Sequence, residues 1–245
     1  MQYVSKNGVG FFVDETATPG NPGFWDLVEQ NMWEENTFNI FSKFLDRDHS
    51  YVDVGTWIGP TVLYGAKFCK TAYAIEPDPV AFEILRRNLN SNNIITNVIS
   101  DNCAIFENDG IVKMGNLSQV GNSMPSILFS NENEWEITCY KLETFFERHR
   151  IERCNFIKID AEGGECFIIP ASRDFFKSFD HILYLSLHVP YFKSENAMQL
   201  ITDSLGSVYT HFYLENGNEW DMATIGKQTG FFSIVASKYK LSEFW

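Results

Sequence analysis

Tyr51-Val-Asp-Val-Gly-Thr-Trp-Ile-Gly-Pro60 is typical of a short apolar strand, a glycine-containing turn and the start of a helix. Gly55 lets the backbone turn tightly and approach a bound group, and Gly59 allows the helix to begin close by. The next strand ends at Glu76, 21 residues beyond Gly55, where a carboxylate can accept hydrogen bonds from both hydroxyls of an adenosine ribose. Either feature alone fits an ordinary turn beside a surface glutamate. Together, at consecutive strand ends, they predict a nucleotide site.

Strands and helices alternate on both sides of this stretch. Apolar residues at helical spacing over 24–45 predict one or two helices before it, and Asp78-Pro79 predicts the start of a helix that runs to about Asn90. The Asn-, Ser- and Gly-rich segment 106–134 predicts hairpins or a loop. Further strands are predicted at 97–104, 155–160, 182–188, 208–214 and 231–237, the last two as an antiparallel pair. The alternation predicts an α/β fold with a doubly wound, mostly parallel sheet, in which ligands bind beyond the carboxyl ends of the strands.

Length and composition narrow the functional classes. A chain of 245 residues fits one domain, which we expect to comprise an N-terminal extension over 1–48 and a Rossmann-like core over 49–245. The formal net charge of −13 makes nucleic acid and anionic membranes poor partners. We find no signal peptide and no apolar run long enough to span a bilayer, so we expect a cytoplasmic protein. Five cysteines without C-x-x-C spacing predict reduced thiols.

The turn after the first strand also indicates which nucleotide is bound. A dinucleotide site has G-x-G-x-x-G spacing and bare backbone against a pyrophosphate, whereas this chain has G-x-x-x-G spacing with Trp57 inside it. Asp53 places a negative charge near the turn, which suits a cationic cofactor better than a phosphate. A sulfonium that carries an α-amino group is such a cofactor.

Four runs of the sequence resemble one known family. They are Tyr51-Val-Asp-Val-Gly-Thr-Trp-Ile-Gly59, Ala74-Ile-Glu-Pro77, Leu85-Arg-Arg-Asn88 and Phe156-Ile-Lys-Ile-Asp-Ala-Glu-Gly-Gly-Glu165, with Trp33-Glu34 ahead of them. Together they resemble the FkbM-type branch of the class I methyltransferases. The resemblance implies a seven-stranded class I fold, S-adenosyl-L-methionine as the cofactor, and methyl transfer to an oxygen, often a hydroxyl of a sugar or natural product.

The resemblance also implies roles for particular residues. It adds Thr56, Trp57 and Pro77 to the candidate cofactor residues Asp53, Gly55, Gly59 and Glu76. It implies that Asn102, Cys103 and Ala104 border the adenine, and that Asp160 lies near the methionine end. The chain departs from the family pattern at Thr56, where Ala is usual, at Trp57, where Asn is usual, and at the end of the fifth strand, where Glu is common.

Candidate catalytic residues lie after the fourth and fifth core strands. Asp160 and Glu162 follow the fourth, and His188 ends the fifth. We expect Asp160 at the boundary between cofactor and substrate, and His188 as a proton acceptor because its ordinary pKa is near neutrality. Each of them also fits a structural role in a turn. Lys158, inside an apolar strand, is expected to pair with Asp53 or Asp160, because an unpaired buried ammonium is costly.

Two questions about the chemistry stay open at the level of sequence. Asp160, Glu162 and His188 could hold a divalent cation, but their spacing is not distinctive, and metal-free catalysis is favoured. The predicted enzyme is an O-methyltransferase acting on a sugar, a glycan or a small natural product. The alternatives are an NAD-dependent oxidoreductase and a catalytically inactive methyltransferase-like binding module. The sequence leaves the acceptor and the oligomeric state open.

Overall fold

A computed structural model of the chain describes residues 1–14, 21–92, 96–116, 119–129, 133–243 and 245. The strands within these residues are β1 Gln2–Lys6, β2 Val9–Val13, β3 Ser50–Val54, β4 Thr71–Ile75, β5 Val98–Asp101, β6 Ala104–Ile105, β7 Gly110–Asn116, β8 Pro125–Ser126, β9 Trp135–Tyr140, β10 Cys154–Ile159, β11 Ile182–His188, β12 His211–Leu214 and β13 Phe231–Ser237. The helices are α1 Phe24–Glu29, α2 Glu35–Phe44, α3 Pro60–Gly65, α4 Pro79–Asn90, α5 Leu142–His149, α6 Glu165–Ala171, α7 Arg173–Lys177, α8 Ala197–Gly206 and α9 Met222–Ile225.

Seven strands form the main sheet, in the order β12-β13-β11-β10-β3-β4-β5. Neighbouring strands are parallel except around β13, which runs antiparallel to both β11 and β12. The predicted doubly wound, seven-stranded, mostly parallel sheet is therefore confirmed, and so is its antiparallel closing pair. The first core strand, β3, lies at the centre between β10 and β4. The turn after β3 consequently leaves the sheet where the strand order reverses, which is the ligand-binding position of such sheets.

The N-terminal elements cover one face of this sheet. The β1–β2 hairpin is antiparallel, and its inward residues join the same buried cluster as α1 and α2. Phe41 of α2 packs edge-on against Tyr51 and Phe156, with ring centroids 5.4 and 5.3 Å apart. Burying an aromatic ring of this kind stabilises the fold by about 2–3 kcal/mol. The helical spacing seen in residues 24–45 thus forms two helices whose apolar sides face the sheet.

Helices cover both faces of the main sheet. Asp78 caps α4 by accepting hydrogen bonds from the Val80 and Ala81 N–H groups at 2.8 and 3.1 Å, as its position before Pro79 predicts. On the opposite face, α5, α6 and α8 bury their apolar sides in a second cluster.

The five cysteines form no disulfide. No helix in the described ranges has both the length and the apolar character that crossing a bilayer requires.

A second sheet lies in the segment where hairpins or a loop are predicted. Its order is β6-β9-β7-β8, with β7 antiparallel to both β8 and β9. The strand predicted over 97–104 is divided between the two sheets, because Asn102 turns back and donates a hydrogen bond to the Glu76 carbonyl at 2.7 Å. Positions 117–118 and 130–132 of the segment lie outside the described residues.

Candidate active site

A cleft of about 990 Å³, open to solvent, lies at the carboxyl ends of β3, β4 and β10. Its walls include eight of the candidate cofactor and catalytic residues: Gly55, Thr56, Trp57, Glu76, Pro77, Ala104, Asp160 and Glu162. The N-terminal segment adds Trp33 and Glu34, and the second sheet adds Val112 and Met114. The loops that sequence spacing assigned to a ligand are therefore brought together around one cavity.

The glycines of the first turn allow backbone segments to approach closely. Gly55 has φ 82°, and a Cβ atom there would lie 1.8 Å from the Asp160 carbonyl oxygen. Gly59 has φ 98°, and its Cβ would lie 2.6 Å from the Leu85 side chain. Gly55 thus lets the ends of β3 and β10 meet at the cleft. Gly59 lies outside the cleft wall and seats the start of α3 against α4.

Trp57 connects the cleft to its surroundings. Its backbone is left-handed, with φ 49°, and its N–H donates to Glu76 Oε2 at 2.7 Å. The indole packs edge-on against Phe24, with centroids 4.6 Å apart, and donates from Nε1 to the Gly121 carbonyl at 2.9 Å. The ring is therefore part of the wall between the cleft and the N-terminal core.

Glu76 presents a buried carboxylate at the end of β4. The N–H groups of Trp57 and Asp78 donate to its two oxygens at 2.7 and 2.8 Å, which fixes the orientation of the group. Burial raises the pKa of Glu76 to about 8. Each carboxylate oxygen can accept a further hydrogen bond, and Ile75 and Ala104 supply apolar wall beside it. This arrangement can take a diol next to a flat apolar group.

A buried ion pair lies under the other end of the cleft. Lys158 Nζ lies 3.2 Å from Asp53 Oδ1 and 3.3 Å from Asp160 Oδ2, as predicted for that lysine. The Thr61 hydroxyl donates to Asp53 Oδ2 at 2.7 Å. Burial raises the pKa of Asp53, while the Lys158 charge opposes this. Asp53 thus lies beneath the cleft. Lys158, which lines the cleft, offsets the negative charge of Asp53.

His188 lies among three carboxylates beside the cleft. Its Nδ1 is 3.1 Å from Glu165 Oε1, and its Nε2 is 3.4 Å from Glu162 Oε2 and 3.6 Å from Asp160 Oδ1. Glu165, the first residue of α6, also accepts hydrogen bonds from the Ala161 and Gly163 N–H groups at 2.8 and 3.0 Å. Ligand atoms of Asp160, Glu165 and His188 lie close enough together to hold a metal ion.

The protonation state of His188 differs from the sequence-based expectation. Burial lowers its pKa, but the hydrogen bond to Glu165 and the charges of the three carboxylates outweigh burial and raise the pKa to about 9. The side chain is therefore largely protonated near pH 7. Burial raises the pKa of Glu162 to about 8, with Asp160 and Glu165 adding to the shift. Glu162 and the cationic His188 ring are thus neighbours whose pKa values are both raised.

Two of the residues expected at the adenine lie beside the cleft wall. Cys103 is 1% exposed and belongs to the core cluster under the sheet, because the chain alternates its side chains as it passes from β5 to β6. Asn102 is engaged with the Glu76 carbonyl. Glu34, which had no role at the level of sequence beyond its place in the family-like pattern, lines the cleft.

The sequence of the chain also matches the model of a known protein family. The model of the methyltransferase FkbM domain matches residues 53–218, which cover more than half of the chain and hold all the core strands from β4 to β12. The chain belongs to this family. Its cofactor is S-adenosyl-L-methionine, and the NAD-dependent alternative is set aside. Comparison with the curated proteins gives no match.

Solved structures are similar in fold at low sequence identity. A methyltransferase FkbM from Methylobacillus flagellatus KT is 13% identical, with a TM-score of 0.48 over 91% of this chain and 56% of that one, so this chain spans about half of that protein. An rRNA methylase from Streptococcus thermophilus is 11% identical, with a TM-score of 0.50 over 83% and 95%. M. jannaschii TYW2, solved in complex with AdoMet, is 14% identical, with a TM-score of 0.45 over 96% and 83%. Likeness at such identities concerns the fold alone.

The residues of the cleft fit the cofactor of this family. Glu76 would hold the two ribose hydroxyls, and Ile75 and Ala104, which line the cleft, would flank the adenine. At the other end, Asp160 and Glu34 provide negative charge for a cationic group. The polarity of the cleft in this chain therefore matches that of S-adenosyl-L-methionine along its length.

Proposed function

We propose that the protein is an O-methyltransferase that acts on a hydroxyl of a sugar, a glycan or a small natural product, and that residues 1–245 work as one methyltransferase domain. The observation that carries the proposal is the position of Glu162 in the cleft wall, with its Oε2 atom 3.4 Å from His188 Nε2. An alcohol is a weak nucleophile while protonated, so a base at this point has a clear use.

When bound, the cofactor supplies a methyl group on a positively charged sulfur. The chain's own residues then have to align the acceptor hydroxyl and take its proton. We assign that proton to Glu162 because the residue lines the cleft and burial raises its pKa to about 8. Glu162 would take the hydroxyl proton, and the bound cofactor would supply the methyl group that the acceptor oxygen receives.

His188 is proposed as a positioning residue for this base. Its cationic ring lies 3.4 Å from Glu162 Oε2 and lowers the pKa of that carboxyl, which keeps part of Glu162 ionised at neutral pH. Glu165 holds the ring from the other side through Nδ1. Tyr191 stacks parallel to the imidazole, with centroids 6.0 Å apart and planes 5° apart, and further fixes its orientation.

The charge of the protein supports a small or neutral acceptor. The net charge is −13, and Asp160, Glu162 and Glu34 add acidic groups in the cleft itself. A phosphate backbone would be repelled by this surface. A hydroxyl compound without phosphate meets no such barrier.

The test measures S-adenosylhomocysteine formed from S-adenosyl-L-methionine in the presence of sugars, glycosides and natural-product alcohols, with mass spectrometry locating the added methyl group. We expect an ether methyl on one of these acceptors. A methyl group found only on nitrogen, carbon or RNA would refute the proposal. Binding of the cofactor without turnover on any acceptor would favour the inactive binding module instead.

The role of the base is tested by Glu162→Gln. We expect kcat to fall by about 10²–10⁴, while calorimetry shows unchanged S-adenosylhomocysteine affinity. In the unmodified enzyme, kcat should rise with pH up to about 8, because Glu162 acts in its ionised form. Glu152→Gln is the matched control, since Glu152 is exposed at the opposite end of β10. Full turnover by Glu162→Gln would eliminate this base.

A further inference from the structure

A row of buried polar side chains crosses the sheet beneath the N-terminal extension. Asp53, Lys158 and Tyr184 occupy paired register positions on β3, β10 and β11, and all three are buried. Paired positions project to the same face of a sheet. Thr37 of α2 continues the row, with its hydroxyl 2.7 Å from the Tyr184 hydroxyl. The Thr37 hydroxyl also lies 3.1 Å from Glu34 Oε2, so the row ends at the cleft.

Glu34 is held at the cleft by its neighbours. It precedes α2 with φ 41°, and Trp33 before it packs between Phe24 and Phe38, with centroids 5.0 and 5.9 Å away. Glu34 is an exposed residue in the wall of the cleft. Desolvation and the negative charge of Asp160 raise the pKa of Glu34, against the effect of Lys158.

The charges around Glu34 leave room for a cation. Lys158 is already shared between Asp53 and Asp160, at 3.2 and 3.3 Å. Asp53, Asp160 and Glu34 therefore face Lys158, and the cationic His188 ring lies 3.6 Å from Asp160 as well, so full ionisation of the three carboxylates leaves one negative charge uncompensated. A cationic ligand that enters this part of the cleft restores the balance and forms charge-assisted hydrogen bonds. The methionine end of the cofactor carries such a cation in its α-ammonium group.

We infer that Glu34 binds the α-ammonium group of S-adenosyl-L-methionine, so that the N-terminal extension supplies part of the cofactor site. Glu34 lies outside residues 53–218, the range that the family model matches. The inference rests on the placement of the methionine end beside Asp160 that the proposed function uses. It does not depend on the identity of the acceptor.

The test compares two ligands that differ at the methionine end. S-adenosylhomocysteine carries the α-ammonium group, whereas 5′-methylthioadenosine has the same adenosine without the amino acid. In calorimetry, Glu34→Gln should weaken S-adenosylhomocysteine binding by at least about tenfold and change 5′-methylthioadenosine binding by less than about twofold. Gln keeps an acceptor for Thr37, and urea unfolding checks that the variant folds as the wild type does.

Two matched variants complete the experiment. Glu35→Gln removes the same charge one position along, at an exposed residue outside the cleft wall, and should bind both ligands normally. Glu76→Gln should weaken both ligands, because both carry the ribose. Unchanged S-adenosylhomocysteine binding by Glu34→Gln, or equal weakening of both ligands, would overturn the role of Glu34. Wild-type protein that binds neither ligand would instead overturn the cofactor placement itself.

Discussion

Lys158→Met tests the buried charges on which the cleft rests. Methionine keeps much of the length of the side chain and removes its charge. Asp53, which is 0% exposed, then loses the ammonium group 3.2 Å from its Oδ1 atom. Asp160 loses a partner as well, but its side chain is 20% exposed and water can solvate it. The uncompensated charge is therefore that of Asp53.

The expected cost follows from this burial. Removing one partner of a buried ion pair lowers the free energy of unfolding by about 3–5 kcal/mol, out of the roughly 5–15 kcal/mol typical of a folded protein. The cost depends on pH. Burial already raises the pKa of Asp53, and loss of Lys158 raises it further. A carboxyl group with a raised folded-state pKa stabilises the fold at low pH and loses that contribution as the pH rises through the folded-state value. The destabilisation should thus be larger at pH 8 than at pH 5.

Urea unfolding at pH 5 and pH 8, followed by tryptophan fluorescence, measures both effects. The double variant Asp53→Asn/Lys158→Met provides the decisive comparison, because an amide needs no counter-charge and still accepts from Thr61. We expect it to recover at least about half of the stability lost at pH 8. A loss below about 1 kcal/mol, or an equal loss at both pH values without recovery in the double variant, would refute the reasoning.

Two further predictions concern the turn and the histidine. Gly55→Ala should lower the free energy of unfolding by about 2–5 kcal/mol and abolish S-adenosylhomocysteine binding, because the new Cβ would lie 1.8 Å from the Asp160 carbonyl; an unchanged urea midpoint would contradict this. The pKa of His188 is raised from 6.5 to about 9, so its stabilising effect is complete below pH 6.5 and lost as pH rises through 9. Wild type should lose up to about 3 kcal/mol more over this range than His188→Gln loses; an equal pH dependence of the two free energies of unfolding from pH 6 to 10 would disprove it.

Features that depend on nearby residues could be predicted from the sequence. The Gly55 turn, the Glu76 position and the Asp78 cap each depend on a few consecutive residues whose backbone requirements are known. The mostly parallel sheet followed from the alternation of strands with helices, and the location of the cleft followed from the rule that ligands bind at carboxyl strand ends. The pairing of Lys158 with Asp53 and Asp160 followed from the cost of an unpaired buried ammonium.

Features that depend on distant residues could not. The raised pKa of His188 requires Glu165, which approaches it only when α6 packs beside β11. Glu34 reaches the cleft because α2 lies across the sheet, and helical spacing alone does not say where the start of a helix will point. The split of 97–104 between two sheets depends on the hydrogen bond from Asn102 to Glu76. No periodicity of the sequence encodes these contacts.

Gly121 has a consequence for how related enzymes can diverge. Gly121 lies in the segment between β7 and β8, and its main chain connects this segment to the residues that follow β3 and β4. Its carbonyl accepts a hydrogen bond from Trp57 Nε1 at 2.9 Å, and its N–H donates to Asp78 Oδ2 at 2.6 Å. Its φ of 94° favours glycine at this single point. Side chains elsewhere in the segment are not needed for these two attachments. Changes of side chain elsewhere in the segment therefore leave these two hydrogen bonds in place, while the Trp135 indole adds a further attachment to the Pro77 carbonyl at 3.1 Å.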